Sequence, residues 1–481
     1  MNKLNFEDFG LSKEILSVLE KLGYERPSEV QKESIPSVLK GEDIIVKAQT
    51  GSGKTAAFGI PVCEKIELEE RKPQALILTP TRELALQVKE DISDIGRFKR
   101  IRCSAIFGKQ PMHLQEMELK QRVHVIVGTP GRTFDHIERG NIELGKIKYL
   151  IIDEADKMLN MGFIDQVETI IKKLPSDRIT MLYSATMSEE IEILCNKYMI
   201  NPKKIEVNTE VSNFQNINQV YYQIEDKEKF DLLNKLIYTE RPERCIVFCS
   251  TKDMVDKVSQ NMKRKKYSYI YLHGGMEQKD RLNAMESFKR GEAKFLVATD
   301  VAARGIHIED ITHVINYDIP MEKESYVHRI GRTGRAGNKG KAITFVSPYQ
   351  FRFFNEIEEY VGYKIPEKEI PSREEVEQGK RIFEIEVNKK IKPKKDKRNE
   401  LNKDITKLHI NAGKKKKIRP GDIVGAVTNI EGMSPEDIGI INIQDTFSYV
   451  DILNNKGGKV LKALQSSTIK GKKVKVEKAA K

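Results

Sequence analysis

The sequence predicts two α/β domains in tandem, each a parallel sheet flanked by helices, followed by a small α+β module. Three observations carry this reading. Short apolar runs alternate with helical stretches over residues 1–207 and again over 218–365, the pattern of parallel sheets covered on both faces. A glycine loop follows the first apolar run, where a strand turns into a helix. The last segment abandons the alternation and is strongly basic. The length of 481 residues fits about three domains at ~150 residues each.

Strands of the first domain are expected at 43–46, 75–79, 101–107, 123–127, 149–152 and 180–183. The polar stretch 208–217 reads as a linker. Strands of the second domain are expected at 220–224, 245–248, 267–272, 294–298, 313–317 and 342–346. Residues 366–403, rich in Lys, Glu and Asn, read as a helical or flexible connector. The segment 404–478 reads as a strand (407–411), a basic loop (414–417) and a helix opening near Pro420. Two strands (439–443 and 447–453), a helix (459–464) and a last strand (473–477) follow. This βαββαβ order is that of an RNA recognition motif.

Composition bounds the function. Hydrophobic residues make up 39% of the chain, enough for packed cores. No apolar run approaches a membrane span, and the start MNKLNFEDFG has no apolar leader region. Five cysteines, at 63, 103, 195, 245 and 249, form no C-x-x-C pair and read as buried core thiols of a cytoplasmic protein. No heptad seam suggests a coiled coil, and a monomer is expected. Net charge is +12, and residues 391–481 hold 21 Lys and Arg against 10 Asp and Glu. Nearly the whole excess therefore sits in the C-terminal segment, the footprint of a polyanion-binding module on a near-neutral body.

The run Ala48-Gln49-Thr50-Gly51-Ser52-Gly53-Lys54-Thr55 lies between the apolar run Ile44-Ile45-Val46 and a helix. Gly51 and Gly53 let the backbone curl so that N–H groups face phosphate oxygens, and the helix N-terminus adds a favourable dipole. Lys54 can reach the β- and γ-phosphates of a nucleotide, and the Thr55 hydroxyl can sit on Mg²⁺. The strand at 149–152 runs into Asp153-Glu154-Ala155-Asp156. Carboxylates at the C-terminal end of a parallel strand lie where open α/β sheets bind ligands. Asp153 can hold Mg²⁺, and Glu154 can orient and deprotonate a water. In the basic module, Phe447 and Tyr449 alternate; they either present two rings on one sheet face or belong to the core. The Lys414-Lys415-Lys416-Lys417 loop is a second candidate RNA contact, and His409 stands on the first strand of the module.

Over residues 6–365 the chain resembles a DEAD-box RNA helicase, built of two RecA-like domains. The further motifs occur in family order: Phe6, Gly23-Tyr24, Pro27 and Gln31; Pro80-Thr81-Arg82-Glu83-Leu84-Ala85; Thr129-Pro130-Gly131-Arg132; Ser184-Ala185-Thr186; Gln278 with Arg281; Ala298-Thr299-Asp300 with Arg304-Gly305; and His328-Arg329-Ile330-Gly331-Arg332-Thr333-Gly334-Arg335. The resemblance implies that Tyr24 stacks on adenine and Gln31 bonds its edge. It implies RNA-backbone contacts from Pro80, Thr81, Arg82, Thr129, Pro130, Gly131, Arg132, Gln278, Arg281, Thr299 and Asp300. It implies that Ser184-Ala185-Thr186 couples hydrolysis to unwinding, and that Arg304, Arg332 and Arg335 act on the γ-phosphate with Lys54, Asp153 and Glu154. Two positions depart from the family. Phe107-Gly108-Lys109 replaces paired glycines, and His307 stands where an Asp usually contacts the ribose, so the resemblance implies a weaker nucleotide contact there. A DEAD-box core followed by a short basic RNA-binding module is similar to the bacterial DbpA type. That resemblance implies ATP-dependent local unwinding of RNA duplexes, targeted to large-subunit (23S) ribosomal RNA and large-subunit precursors during ribosome assembly. A DNA translocase is disfavoured by the RNA-type module and the Asp-Glu-Ala-Asp sequence. The remaining alternative is an ATP-gated RNA clamp or scaffold with little unwinding.

Overall fold

The structure, a computed structural model, describes residues 4–48, 51–207, 216–300, 311–334, 338–387 and 401–479. Most of the expected linker and residues 388–400 of the expected connector lie outside these residues.

Seven parallel strands form the first sheet: β1 (Ile44–Lys47), β2 (Ala75–Leu78), β3 (Cys103–Ile106), β4 (Val125–Gly128), β5 (Tyr149–Asp153), β6 (Ile179–Ser184) and β7 (Lys203–Glu206). Their order is β3-β4-β2-β5-β6-β1-β7. The central strands are apolar and buried along their whole length, because helices cover both faces. One face packs Val46, Phe58, Ile77, Val88 and Tyr183. The other packs Leu76, Leu150, Met158, Ile170 and Leu182. Six of these strands fall where the sequence predicts them. The seventh, β7, is absent from the sequence reading, and its pattern gives the reason. It lies at the sheet edge, and of Lys203, Lys204, Ile205 and Glu206 only Ile205 is buried. Edge strands carry charge that discourages further pairing, so they lose the apolar signal.

The second sheet holds β8 (Ile217–Gln223), β9 (Cys245–Phe248), β10 (Tyr269–Leu272), β11 (Phe295–Ala298), β12 (His313–Asn316) and β13 (Gly340–Val346). All pair in parallel, in the order β10-β11-β9-β12-β13-β8. The first part of the expected connector is a helix, Arg373–Val387. Its Phe383 packs edge-on against Tyr238 and Tyr267, with ring centroids 5.4 and 5.9 Å away. Gly379 allows this approach, since a Cβ there would collide with the Tyr238 carbonyl oxygen.

The C-terminal sheet is antiparallel. Its strands are β14 (Thr406–Ile410), β15 (Ile438–Ile443) and β16 (Ser448–Ile452); a hairpin of β17 (Thr468–Ile469) and β18 (Lys472–Lys473) precedes β19 (Val476–Lys478). The sheet order is β15-β16-β14-β19. Helices Pro420–Thr428 and Gly457–Ser466 bury Ile423, Val427, Val460 and Leu464 against one face. The βαββαβ order holds, with one correction. The expected last strand, 473–477, is split: Lys473 belongs to the hairpin, and only Val476–Lys478 joins the sheet beside β14. The turn at Lys470 and Gly471, both left-handed, separates the two hairpin strands.

The chain forms two compact units, and the C-terminal module clusters with the first domain in one of them. Lys21 pairs with Asp404 at 2.7 Å, Arg97 pairs with Asp451 at 3.5 Å, and Arg100 donates to the Pro435 carbonyl at 2.6 Å. All five cysteines are buried, as expected of core thiols. Burial pushes the Cys63 thiol up to about 12. Among the described residues no helix is long and apolar enough to cross a membrane.

Lys109 tests a departure noted in the sequence. It adopts φ +59°, the left-handed region that a non-glycine residue enters at a cost of ~1 kcal/mol or more. The glycine usual at this position thus serves the backbone. The Lys109 side chain is exposed, so its removal sacrifices no packing. Lys109→Gly is therefore expected to stabilise the first domain by about 0.5–1 kcal/mol after the entropy of glycine is counted. Urea unfolding of the two proteins checks this.

Candidate functional site

The nucleotide elements come together at the C-terminal ends of three neighbouring strands. β6 pairs with β1 on one side and β5 on the other. Lys47 is level with Ser184, and Asp153 with Tyr183. The glycine loop, the Asp-Glu-Ala-Asp turn and the Ser184-Ala185-Thr186 turn therefore leave one edge side by side.

Gly51 and Gly53 have φ +90° and +89°, as the phosphate-loop reading requires. Helix Lys54–Lys65 begins directly after Gly53. Lys54 is buried, and its Nζ donates to the Ala48 carbonyl at 3.2 Å. Thr55 follows on the first turn. Gln49 and Thr50 lie outside the described residues.

Gln31 is buried beneath this loop. Its Nε2 donates to the Gly53 carbonyl at 3.2 Å, and its Oε1 accepts from the Ser28 N–H at 2.9 Å. Ser28 Oγ in turn donates to the Ser52 carbonyl at 2.8 Å. A side chain at position 53 would collide with Gln31 Nε2 at 2.6 Å. The motif expected to read adenine is thereby tied to the loop expected to hold phosphate. Tyr24 is half-buried, and the Phe6 ring meets it edge-on at 6.1 Å.

Asp153 ends β5, buried. Burial raises its carboxyl to about 6, a rise that Lys54 opposes, Glu154 reinforces and Lys157 opposes. Its Oδ1 is buried without a hydrogen-bond partner. Such an oxygen, on a carboxyl that also feels the Lys54 ammonium, fits a divalent cation held jointly with phosphate oxygens. No cluster of three or more His, Cys, Asp or Glu suited to a metal occurs among the described residues.

Glu154 has φ +56° and ψ 51°, left-handed for a carboxylate residue. Strain of ~1–2 kcal/mol at such a position is characteristic of functional turns. Asp156 is joined to the next turn: its N–H donates to Ser184 Oγ at 3.2 Å, and that hydroxyl donates to the Thr186 carbonyl at 2.6 Å.

The RNA-type motifs occupy the other half of the same edge. Pro80, Thr81 and Arg82 follow β2, where Thr81 caps helix Arg82–Ile95 by accepting from the Leu84 N–H at 3.2 Å. Thr129, Pro130, Gly131 and Arg132 follow β4 and open helix Pro130–Glu138. Arg132 Nη1 donates to the Gln110 carbonyl at 2.9 Å and to Gln115 Oε1 at 3.0 Å.

In the second domain, Thr299 and Asp300 follow β11, and Gln278 and Arg281 lie on helix Gln278–Lys289. Arg332 is buried, with Nε donating to the His328 carbonyl at 3.2 Å. Arg304, His307 and Arg335 lie outside the described residues.

In the C-terminal module, Phe447 and Tyr449 alternate with buried Ser448 and Val450. Their rings are half-buried on the face away from the apolar core, which decides between the two open readings. His409 joins them: the three ring centroids lie 5.3–5.4 Å apart. Lys407 stands 4.9 Å over the Tyr449 ring. Lys414, Lys415, Lys416 and Lys417 are exposed on a short 3-10 turn rather than an open loop. Lys472 and Lys470 of the late hairpin donate to the Lys416 and Lys417 carbonyls at 2.6 and 2.9 Å, extending the basic patch.

Comparison with known proteins agrees with this geometry. A family model for DEAD/DEAH box helicases matches residues 28–194, one for the helicase conserved C-terminal domain matches 228–337, and one for the DbpA RNA binding domain matches 407–478. The chain is 56% identical over 477 residues to the ATP-dependent RNA helicase DbpA of Bacillus subtilis, covering 99% of this chain and 100% of that one. This chain belongs to the DEAD-box RNA helicases. It is an ATP-dependent RNA helicase of the DbpA type, an RNA-stimulated ATPase carrying a C-terminal RNA-binding domain. The helicase is also 44% identical over 381 residues to the CshA helicase of Geobacillus kaustophilus, covering 79% and 82% of the two chains. Its fold matches S. cerevisiae Dbp5 bound to RNA and ADP BeF3, with TM-score 0.71, 32% identity and coverage of 79% and 99%. It also matches Mss116p bound to ssRNA and AMP-PNP, with TM-score 0.68, 27% identity and coverage of 80% and 82%.

Two residues of the helicase escape assignment from sequence. Lys157 forms a buried ion pair with Glu154, Nζ to Oε1, at 2.6 Å. Its only signal is the i,i+3 spacing of Glu and Lys on one turn. Arg329 lies within a motif whose spacing implies no role for it. It is fully buried, holds both carboxylate oxygens of Asp300 at 2.6 Å, and donates to the Asp318 carbonyl at 2.6 Å. Its guanidinium also lies 5.2 Å from the Phe248 ring centroid. Arg329→Met is expected to leave the Asp300 charge without this partner and to cost the second domain ~3 kcal/mol. Arg329→Lys should recover only part, since an ammonium cannot bind a carboxylate through two parallel N–H groups. Urea unfolding of the three proteins provides the check.

Proposed function

We propose that this helicase locally unwinds short RNA duplexes and is directed by its C-terminal domain to 23S ribosomal RNA in large-subunit precursors. The observation that carries the targeting half is the three-ring face of His409, Phe447 and Tyr449 beside an exposed lysine patch. Rings stack on unpaired bases and lysines hold phosphates, a combination suited to structured RNA with exposed nucleotides. The ribosomal identity of that RNA rests on the likeness to the DbpA type. We further propose a cytoplasmic monomer.

For hydrolysis, Lys54 and the glycine loop would bind the β- and γ-phosphates. Asp153 and Thr55 would hold Mg²⁺, which neutralises phosphate charge when bound. Glu154 would take the proton of the attacking water. Arg304, Arg332 and Arg335 would stabilise charge developing on the γ-phosphate, and Tyr24 and Gln31 would select adenine.

Glu154→Gln keeps the shape of the side chain but cannot accept the proton. ATP and RNA affinities should stay within about threefold of wild type, while turnover falls at least ~100-fold. Steady-state ATPase assays with fluorescent-nucleotide binding test this; turnover within a few-fold of wild type would remove Glu154 from the role of base.

Removal of residues 404–481 should leave RNA-stimulated hydrolysis at high RNA concentration and abolish preference for a 23S fragment over an unrelated hairpin. Affinity against salt separates the two RNA surfaces. Neutralising Lys414–Lys417 should flatten the slope by ~0.7–0.9 for each phosphate the module no longer neutralises. Replacing Phe447 and Tyr449 with Ala should weaken binding at every salt concentration. Undiminished preference after truncation would refute the targeting role. A strand-displacement assay run beside the ATPase assay excludes a clamp if the strands separate.

A further inference from the structure

Lysine is almost never fully buried unless it is paired. In this helicase Lys157 is 5% exposed, on the short helix Ala155–Asn160 that leaves the Asp-Glu-Ala-Asp turn. Its ammonium meets Glu154 Oε1 at 2.6 Å, with side-chain exposures of 6% and 3% for the pair. The left-handed backbone of Glu154 folds its side chain back over the following turn, where Lys157 receives it. The Lys157 N–H is itself held by the Glu154 carbonyl and by Asp156 Oδ1, both at 3.0 Å. The ammonium therefore approaches from an anchored turn and not from a mobile loop. Lys54, Asp153 and Asp156 are buried at the same edge, so charged groups of both signs meet there out of water.

A carboxylate that must accept a proton at one oxygen has to be held by the other. Without such a hold its plane rotates about the last side-chain bond, a broad and soft torsion. An ammonium on Oε1 restricts that rotation.

We propose that Lys157 is a positioning residue for ATP hydrolysis, holding the Glu154 carboxylate through Oε1 so that it faces the attacking water. This inference rests on the reading of Glu154 as the base. Lys157 itself need not touch nucleotide or water. Its removal should reduce the rate of the chemical step while leaving nucleotide affinity in place.

The test is a double-mutant cycle in the full-length helicase, with ATP and RNA saturating and phosphate release followed with radiolabelled ATP. Lys157→Met, of similar length and apolar, should lower kcat by ~10–100-fold, with the KM for ATP and fluorescent-nucleotide affinity within about threefold of wild type. Lys157→Arg, which can still reach a carboxylate, should restore at least a third of the wild-type kcat. In a Glu154→Gln background, Lys157→Met should change the residual rate less than twofold, because the base it positions is gone. An unchanged kcat in Lys157→Met overturns the proposal. So does an equal reduction in both backgrounds, which would show that Lys157 acts independently of Glu154. Failure of Lys157→Met to bind nucleotide would assign the residue to the fold and overturn it too. Near-wild-type hydrolysis by Glu154→Gln alone has a separate meaning: it removes the base reading first, and the positioning role with it.

Discussion

The parallel pairing of β1, β6 and β5 is the constraint from which the rest of the molecule follows. Parallel strands need crossover helices, and these return the chain to the same starting edge each time. Every strand-to-helix turn therefore opens on the opposite edge. β6 lies between β1 and β5, so the phosphate loop and the acidic turn flank Ser184-Ala185-Thr186. The next strands along the sheet, β2 and β4, carry the RNA-type motifs. The motifs proposed to hold nucleotide and RNA thus share one rigid edge without any loop spanning the domain. The hydrogen bonds from Asp156 to Ser184 and from Ser184 to Thr186 give this adjacency a physical link. A change at the acidic turn is one side chain away from the neighbouring motif.

Concentrating charge at a buried edge has a cost, and the structure shows how it is offset. Asp153, Glu154, Lys54 and Lys157 are all under 7% exposed. Isolated, each would destabilise the fold by several kcal/mol. Together their formal charges cancel. The second domain solves the same problem by different means. There Arg329 gathers Asp300, the Asp318 carbonyl and the Phe248 ring around one guanidinium. A planar fork with five donors suits several fixed acceptors, whereas a lysine suits one.

The sheets were largely legible in the sequence because both faces of each strand are buried, which forces continuous apolar runs such as Ala75–Leu78 and Tyr149–Asp153. β7 was not, since an edge strand needs only Ile205 to face the core. The split of the last strand was not either. Nothing in Lys470-Gly471-Lys472-Lys473 distinguishes a hairpin from a strand start without knowing where β14 accepts a partner. At the candidate nucleotide site, Gly51, Gly53, Lys54, Asp153 and Glu154 are singled out by residue type and spacing alone. Lys157 and Arg329 did not, because their roles are relations between side chains. An i,i+3 Glu–Lys pair is ordinary on an exposed helix and gains meaning only through burial. The left-handed turn at Lys109 is the converse case. There the sequence showed an unusual residue, and only the backbone dihedral shows what that residue costs.

The C-terminal sheet extends the same logic from nucleotide to RNA. Strand periodicity sends Ser448 and Val450 into the core and Phe447 and Tyr449 to the opposite face. β14 is the direct neighbour of β16, with His409 opposite Tyr449 in register, so a third ring arrives by pairing and not by sequence proximity. Three rings within 5.4 Å of each other make a surface wider than one base. The lysines follow a different rule. Lys416 and Lys417 offer their carbonyls to Lys472 and Lys470, so backbone acceptors gather like charges that would otherwise repel. Stacking is short-ranged and nearly indifferent to salt, whereas phosphate contacts weaken steeply as counterions accumulate. An RNA that engages both surfaces must present unpaired bases beside a continuous backbone. A plain duplex satisfies only the lysines. If the proposed targeting holds, the module prefers folded RNA with exposed bases, which is also the RNA on which a local, ATP-driven strand separation has a defined place to act.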